Sequence, residues 1–385
     1  MRPVPTDFPI DSALVVACAR DLIRARSENP PGDEREAAAV VAAHAADAGL
    51  DVEIVETAPN RVNVIATLDS GRPGRTLLWN GHIDVVPIGD ASLWKHPPFE
   101  AVVDDGVLHG RGAADMKGPC ASAIAAACAL KAEGGPATGR LVLQFVADEE
   151  VLGPHGTLAL FERGRAGADA AIVGEPTDLS VAVAERGMLW VIARTAGVAA
   201  HGSRPDLGVS AIEEAARVVL TLRAHRNGKS HPLLGEPSLN VGTIQGGSKI
   251  NIVPDSCTIA IDRRTLPGET DEGILDEMRA AIGEAGLSAS LEIIHRADPV
   301  EVDPNSEIVT HAIAAHTAVR GAGARIGAMT GATDAHVLAG KAGIPTIIFG
   351  PGSLDQAHTT TEHVAIQDLI DGARIYAHLF DSYLR

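Results

Sequence analysis

Between residues 187 and 296 the chain runs strand, helix, strand, strand, helix, strand, and no other feature limits its fold so tightly. "MLWVIARTA" reads as strand, and "GVSAIEEAARVVLTLRAH" repeats its apolar residues at helical spacing. "SLNVGTI" and "CTIAIDRR" are strands, "DEGILDEMRAAIGEAG" is a helix and "SASLEII" a strand. That β-α-β-β-α-β order predicts a ferredoxin-like α+β module with its own core. The flanking chain keeps a different rhythm. Helical patterns at "ALVVACARDLIRAR", at "DEREAAAVVAAHAADAG" (closed by Gly49) and over residues 118–133 alternate with short β-rich runs. Those runs are "DVEIVE", "RVNVIATL", "RTLLWNG", "RLVLQFVADEE", "AAIVGEP" and "LSVAVAE"; after the module come the helical "SEIVTHAIAAHTAVRG" and the strand "IPTIIFG". Strands separated by helices predict an α/β domain whose mainly parallel sheet is covered on both faces. The expected organisation is a discontinuous domain of residues 1–186 and 297–385 with the module 187–296 inserted.

Composition narrows the partners. Fifty Asp and Glu against 32 Lys and Arg give a formal charge of −18, the wrong sign for nucleic acid or an anionic membrane surface. Aromatic residues are only 3%, too few for base-stacking platforms. "CASAIAAACALK" is too short to span a bilayer, and "ALVVACAR" is flanked by Asp7 and Asp11 where a signal peptide would be basic. The four cysteines, Cys18, Cys120, Cys128 and Cys257, have no framework spacing, which predicts reduced thiols in a cytoplasmic protein. Cys120 and Cys128 share one apolar helix pattern and are expected to be buried.

Chemistry collects at the ends of the expected strands. In "LLWNGHIDVVPIGD", His82 and Asp84 lie two residues apart and so face the same way. Burying such a pair is unfavourable unless the groups bond to each other or to a ligand. Glu149 and Glu150 follow "VLQFVAD", Glu175 follows "AAIVG", and His358 lies beyond "TIIFGPGSLDQA". Asp115 sits in the Gly-rich loop "GVLHGRGAADMKG" just ahead of a helix. In open α/β sheets ligands bind beyond the carboxyl ends of the strands. "GRGAAD" lacks the third glycine of a dinucleotide fingerprint, and no Walker A, G-x-S-x-G or H-E-x-x-H pattern occurs. Two histidines with several carboxylates suit zinc, with cobalt or manganese as alternatives. Donors from five separate turns exceed the needs of one tetrahedral zinc, so two divalent ions sharing a carboxylate are expected.

The segments "GHIDVVPIGD", "PPFEAVVDDGVLHGRGAADMKG", "ADEE", "GEPT" and "NIVPDSCTIAIDRRTLPGET" resemble, in order and over nearly the whole chain, the acetylornithine deacetylase, succinyl-diaminopimelate desuccinylase and glutamate carboxypeptidase family. The resemblance implies a two-metal amide hydrolase. It makes His82, Asp115 and Glu175 ligands of one ion and Asp115, Glu150 and His358 ligands of the other, with Asp115 bridging. Asp84 becomes the partner that orients His82, and Glu149 the general base. Arg264 and Asn251 become substrate-binding residues, Arg264 as a fork for a carboxylate. His201, in "GVAAHGSRPDLG", is implied to reach across a homodimer formed by the inserted module and to stabilise the oxyanion. His336 and His363 compete with His358 as ligands. Ile83 stands where many members have a small polar residue. His336 replaces the arginine usual in the desuccinylases, which argues against their substrate. The reading is therefore a deacylase acting on N-acyl amino acids. A carboxypeptidase or dipeptidase with the same centre is the alternative, and a non-catalytic binding homologue the remote one.

Overall fold

The computed structural model describes residues 7–385. They form two compact units, one comprising the chain up to Val183 with Glu301–Met329 and Thr333–Arg385, the other Ala184–Val300 with Thr330–Ala332.

The first unit starts with α1 (Ser12–Arg24), α2 (Arg35–Asp47), β1 (Asp51–Ala58), β2 (Arg61–Asp69) and β3 (Thr76–His82). A small hairpin, β4 (Val102–Asp104) and β5 (Val107–His109), precedes α3 (Lys117–Ala132) and β6 (Arg140–Val146). Then come α4 (Thr157–Glu162), β7 (Ala170–Val173) and β8 (Val181–Glu185). The second unit holds β9 (Gly187–Ala196), α5 (Ala211–Ala224), β10 (Ser238–Gly246), β11 (Ser256–Thr265), α6 (Asp271–Glu284) and β12 (Ser290–Ala297). The chain ends with β13 (Val300–Glu301), α7 (Glu307–Arg320), β14 (Ile326–Met329), β15 (Thr346–Ile348), β16 (His363–Ala365) and α8 (Ile366–Tyr383).

The large sheet has the order β1-β2-β6-β3-β7-β15-β8-β13, with β14 on β8. It is mixed, and this corrects the expectation of a mainly parallel sheet. Its centre, β6-β3-β7-β15, is parallel, but β1 with β2, β2 with β6 and β15 with β8 are antiparallel. The reason for β1 and β2 lies in their link: only Pro59 and Asn60 separate them, and so short a connection permits a hairpin but not a crossover.

Nearly every residue of β3, β6 and β7 is buried, as in a sheet covered on both faces. Leu77, Trp79, Leu141, Leu143, Phe145 and Ile172 share a core with α1, α3 and α8. Asp11 caps α1 by accepting the Ala13 and Leu14 N–H groups, and the helix buries Val15, Cys18, Ala19, Leu22 and Ile23 on one face. α3 is buried on almost all sides because "KGPCASAIAAACALKA" is built of small residues that admit neighbours closely.

In the second unit the sheet order is β10-β11-β9-β12, all antiparallel. Leu189, Val191, Ile259 and Ile261 face α5 and α6, while Trp190 and Ile294 on the other face are exposed.

All four cysteines are free thiols; Cys120 is buried, whereas Cys128 is half-buried, because eight residues rotate it about 80° around α3 from the face of Cys120. No helix among the described residues is long and apolar enough to cross a membrane.

A candidate metal centre at the strand ends

β3 ends at His82, and the turns after β6 and β7 carry Glu149, Glu150 and Glu175. Because these three strands are adjacent and parallel, their carboxyl ends deliver the side chains to one place. His82 Nε2 lies 3.0 Å from Asp115 Oδ1, 3.6 Å from Glu175 and 3.9 Å from Glu149. His358 Nε2 lies 3.0 Å from Glu150 and 3.4 Å from Asp115 Oδ2. Asp115 thus presents one oxygen to each imidazole. The His358 side chain is 56% exposed, so this side of the group opens to solvent.

Backbone detail explains how the turns hold their positions. Gly174 precedes Glu175 because a Cβ there would sit 2.3 Å from the Trp79 ring. Gly112, at φ +88°, bends the loop that brings Asp115 inward. That loop is anchored by Glu362, whose Oε1 accepts the N–H groups of Gly112, Ala114 and Asp115 at 2.9, 3.0 and 3.1 Å. Oε2 of Glu362 pairs with buried Arg111 at 2.6 Å.

Asp84 acts differently from the expected contact with His82. The Nδ1–H of His82 donates to the Asp84 backbone carbonyl at 2.9 Å, while the Asp84 carboxylate is 3.7 Å away. β3 ends at His82, so Asp84 lies beyond the strand, where the alternation of faces no longer sets its direction. Its carboxylate accepts instead from Asn29 Nδ2 and from the backbone N–H groups of Glu149 and Glu150. It therefore ties the two glutamates to the end of β3.

Four acidic groups and two imidazoles in so small a volume leave the site short of positive charge. Burial pushes the carboxyls of Glu149, Glu175 and Glu150 up, and Asp115 adds to the rise at Glu175 and Glu150. Asp115 is itself buried, but hydrogen bonds from His358 and His82 outweigh that and hold its carboxyl low. The same bond from Asp115, with Glu150, raises His358 to about 10. Burial opposes the charge on His82, yet Asp115, Glu175 and Glu149 raise it well above the ordinary imidazole range. Such a donor set fits divalent cations. The carbonyl of Asp84 can only accept, so it fixes a proton on His82 Nδ1 and leaves Nε2 as the ring atom that could meet an ion.

Proton-linked metal uptake follows. At pH 7 the His358 and His82 rings carry protons that a cation must displace, so loading the metal-free protein releases protons, and affinity falls as pH falls. Zinc titrations by calorimetry in two buffers of different ionisation enthalpy measure the release directly. Uptake of two ions per chain without proton release would contradict this charge arrangement.

The other histidines lie elsewhere. His336 is buried with Nδ1 bonded to the Thr333 carbonyl at 2.7 Å, and His363 Nδ1 donates to the Thr361 carbonyl at 2.8 Å. In the second unit, His201 and Ile252 form a β-bridge, and the Asn251 carbonyl accepts the Gly202 N–H. Arg264 Nε and Nη2 are engaged by Asp262 two residues earlier, at 3.1 Å in both cases.

Three supporting residues escaped the sequence reading. Glu362 lies in "TTTEHV", which reads as a polar turn, and Asn29 in the Pro-rich "SENPPG". Asp334, pushed up to about 7 by burial, is held by Thr157 at 2.7 Å and acts electrostatically on Glu149 and Glu175. Only its place in "GATDAHV" hinted at a role.

Fold and site together define a protein of the α/β class with a candidate metal centre built of carboxylates and histidines. The sequence profile of peptidase family M20/M25/M40 matches residues 78–382. An acetylornithine deacetylase of Vibrio campbellii is 32% identical, with 90% of this chain and 91% of the relative covered. An N-formyl-4-amino-5-aminomethyl-2-methylpyrimidine deformylase of Halalkalibacterium halodurans is 29% identical over 92% of this chain and 91% of the relative. The crystal structure of aminopeptidase PepT from Bacillus cereus superposes with a TM-score of 0.81 at 25% identity, covering 98% of this chain and 100% of that one. The chain belongs to peptidase family M20/M25/M40, and it is a metallohydrolase of amide bonds.

Proposed function

We propose that this hydrolase is a two-metal deacylase that cleaves N-acyl amino acids to a free amine and a carboxylate. The observation that carries the reading is Asp115, set between His82 and His358 with Glu149 alongside. His82, Asp115 and Glu175 would hold one ion and Asp115, Glu150 and His358 the other, zinc being favoured by the mixture of imidazole and carboxylate. When bound, such ions polarise the amide carbonyl and make hydroxide available near neutral pH.

The chain's own groups then divide the work. Glu150 is committed on both oxygens, to His358 at 3.0 Å and to the Val86 N–H at 3.1 Å. Glu149 is the neighbour left for proton transfer, and burial gives it a raised proton affinity. It takes the proton of the attacking water and delivers it to the leaving amine nitrogen. The N–H of Ser203 donates to His201 Nδ1 at 3.1 Å, so the neutral ring carries its proton on Nε2. That is the tautomer able to donate to an oxyanion. Arg264 would exchange Asp262 for the substrate carboxylate, with Asn251 assisting.

Relatives named for deacetylation, desuccinylation and deformylation favour acyl amino acids and related amides over peptides. The carboxypeptidase or dipeptidase reading rests on the peptidase names among the structural neighbours. Assaying amine release from N-acetyl, N-formyl and N-succinyl amino acids beside di- and tripeptides separates the two. Acylated amino acids should show the highest kcat/KM; peptides turned over faster would establish the peptidase.

A homodimer through the second unit, placed in the cytoplasm, completes the proposal. Mixing inactive Glu149→Ala chains with inactive His201→Ala chains should restore activity, because a mixed dimer contains one intact site when His201 acts in trans. A confirmed heterodimer that stays inactive would rule the trans role out.

A further inference from the structure

A second group of metal-type donors lies on the small sheet β16-β5-β4, sharing no residue with the centre described above. β4 and β5 form a tight hairpin through Asp105 and Gly106, both at positive φ. His109 pairs with Val102, so Asp104, two residues on from Val102, projects from the same face as His109. His363 on β16 lies directly opposite His109 on its other side. The loop before β4 brings His96 onto this face, where its ring lies tilted against that of His109 with 4.3 Å between centroids. The His363 ring follows at 5.6 Å.

One donor atom from each of His96, Asp104 and His109 falls within 4.8 Å of the other two. His96 Nε2 is shut off from solvent yet has no hydrogen-bond partner among the described residues. A polar atom in that condition is normally satisfied by something, and here the described residues supply nothing. His363 Nδ1 donates to a carbonyl, which leaves its Nε2 lone pair free. Burial, and then the neighbouring His96 and His363, hold His109 below the ordinary imidazole range, so its ring is neutral at pH 7.

We propose that His96, Asp104 and His109 form a separate site for a zinc-like transition-metal ion, with His363 in reach as a fourth ligand. Two or three imidazoles with one carboxylate select zinc, nickel or copper rather than magnesium or calcium. Ligand atoms stand about 2.0–2.2 Å from zinc, so donors no more than 4.8 Å apart need only side-chain rotation to close on an ion. An ion there would fasten the loop carrying His96 to the hairpin. β5 runs directly into Gly110–Asp115, so the clamp would steady the segment that bears Asp115. The role is structural.

The test compares zinc content after equilibrium dialysis of the full protein with that of Asp104→Ala and His109→Phe. Each variant should bind one zinc fewer per chain than the parent, with kcat of the zinc-loaded enzyme unchanged within about twofold. The parent's thermal midpoint should rise on binding the extra ion, and neither variant's should. Asp104 is exposed, so its variant reports even where His109→Phe folds poorly by circular dichroism. Equal zinc content in the parent and Asp104→Ala would overturn the site. Because the readout is a difference of one ion, it does not depend on how many the main centre holds.

Discussion

Replacing Glu149 by glutamine leaves the metal content of the protein unchanged and lowers kcat by about 10²–10⁴-fold, the usual contribution of a positioned general base. The isosteric amide keeps the volume of the buried side chain and removes only its capacity to take a proton. Glu149 stands 3.9 Å from His82 Nε2, farther than Asp115 or Glu175, which is why it is expected to face the water and not an ion. Yet its donor atom also groups with those of His82 and Glu175 within 4.8 Å. Elemental analysis beside steady-state kinetics therefore decides its role. An ion lost together with activity makes Glu149 a ligand, and retained metal with near-parent turnover makes it a charged turn residue.

Glu362→Ala should lower the unfolding free energy by about 3–5 kcal/mol, measured by urea denaturation, because it breaks one side of a buried ion pair. Arg111 would remain buried beside Trp94 with only the Thr359 carbonyl as a hydrogen-bond acceptor among the described residues. The N–H groups of Gly112, Ala114 and Asp115 would lose a common acceptor. Since Asp115 belongs to that loop, metal affinity should fall as well, by about 10–100-fold, as for other residues that support a ligand from behind. Burial already pushes the Glu362 carboxyl up to about 7, with Asp115 adding to it and Arg111 pulling against it. Glu362→Gln keeps an acceptor for the loop, so it should cost less stability than alanine. Equal stability of Glu362→Ala and parent would mean the loop holds itself.

What the sequence made legible follows from where its information is local. β3, β6 and β7 are short apolar runs whose last residues are chemical, so strand and site are read in one stroke. The hairpin β4–β5 and the strand β16 are three residues each, too short to have a period, and both were missed. α8 carries an apolar stripe of Leu369, Ala373, Tyr376, Ala377 and Phe380 at helical spacing, so it was legible in the sequence, although the expected elements end before it. Asp84 shows the limit for side chains. Spacing put it beside His82, but whether carbonyl or carboxylate makes the contact depends on the turn that follows the strand. Glu362, about 250 residues from the N–H groups it accepts, has no sequence signature at all.

The place of β15 has a consequence for how the molecule is made. Residues 346–348 lie between β7 and β8, strands only seven residues apart in the chain and about 170 residues upstream of β15. A chain emerging from the ribosome therefore holds the two sides of a slot long before the strand that fills it exists. Until then β7 and β8 expose unpaired edges, the kind of surface that invites pairing with other chains. The second unit has all its strands between residues 187 and 297 and can close earlier, on contacts nearer in sequence. Synthesis thus yields a finished module attached to an unfinished sheet, and the candidate centre comes together only once the segment from β15 to His358 has been made.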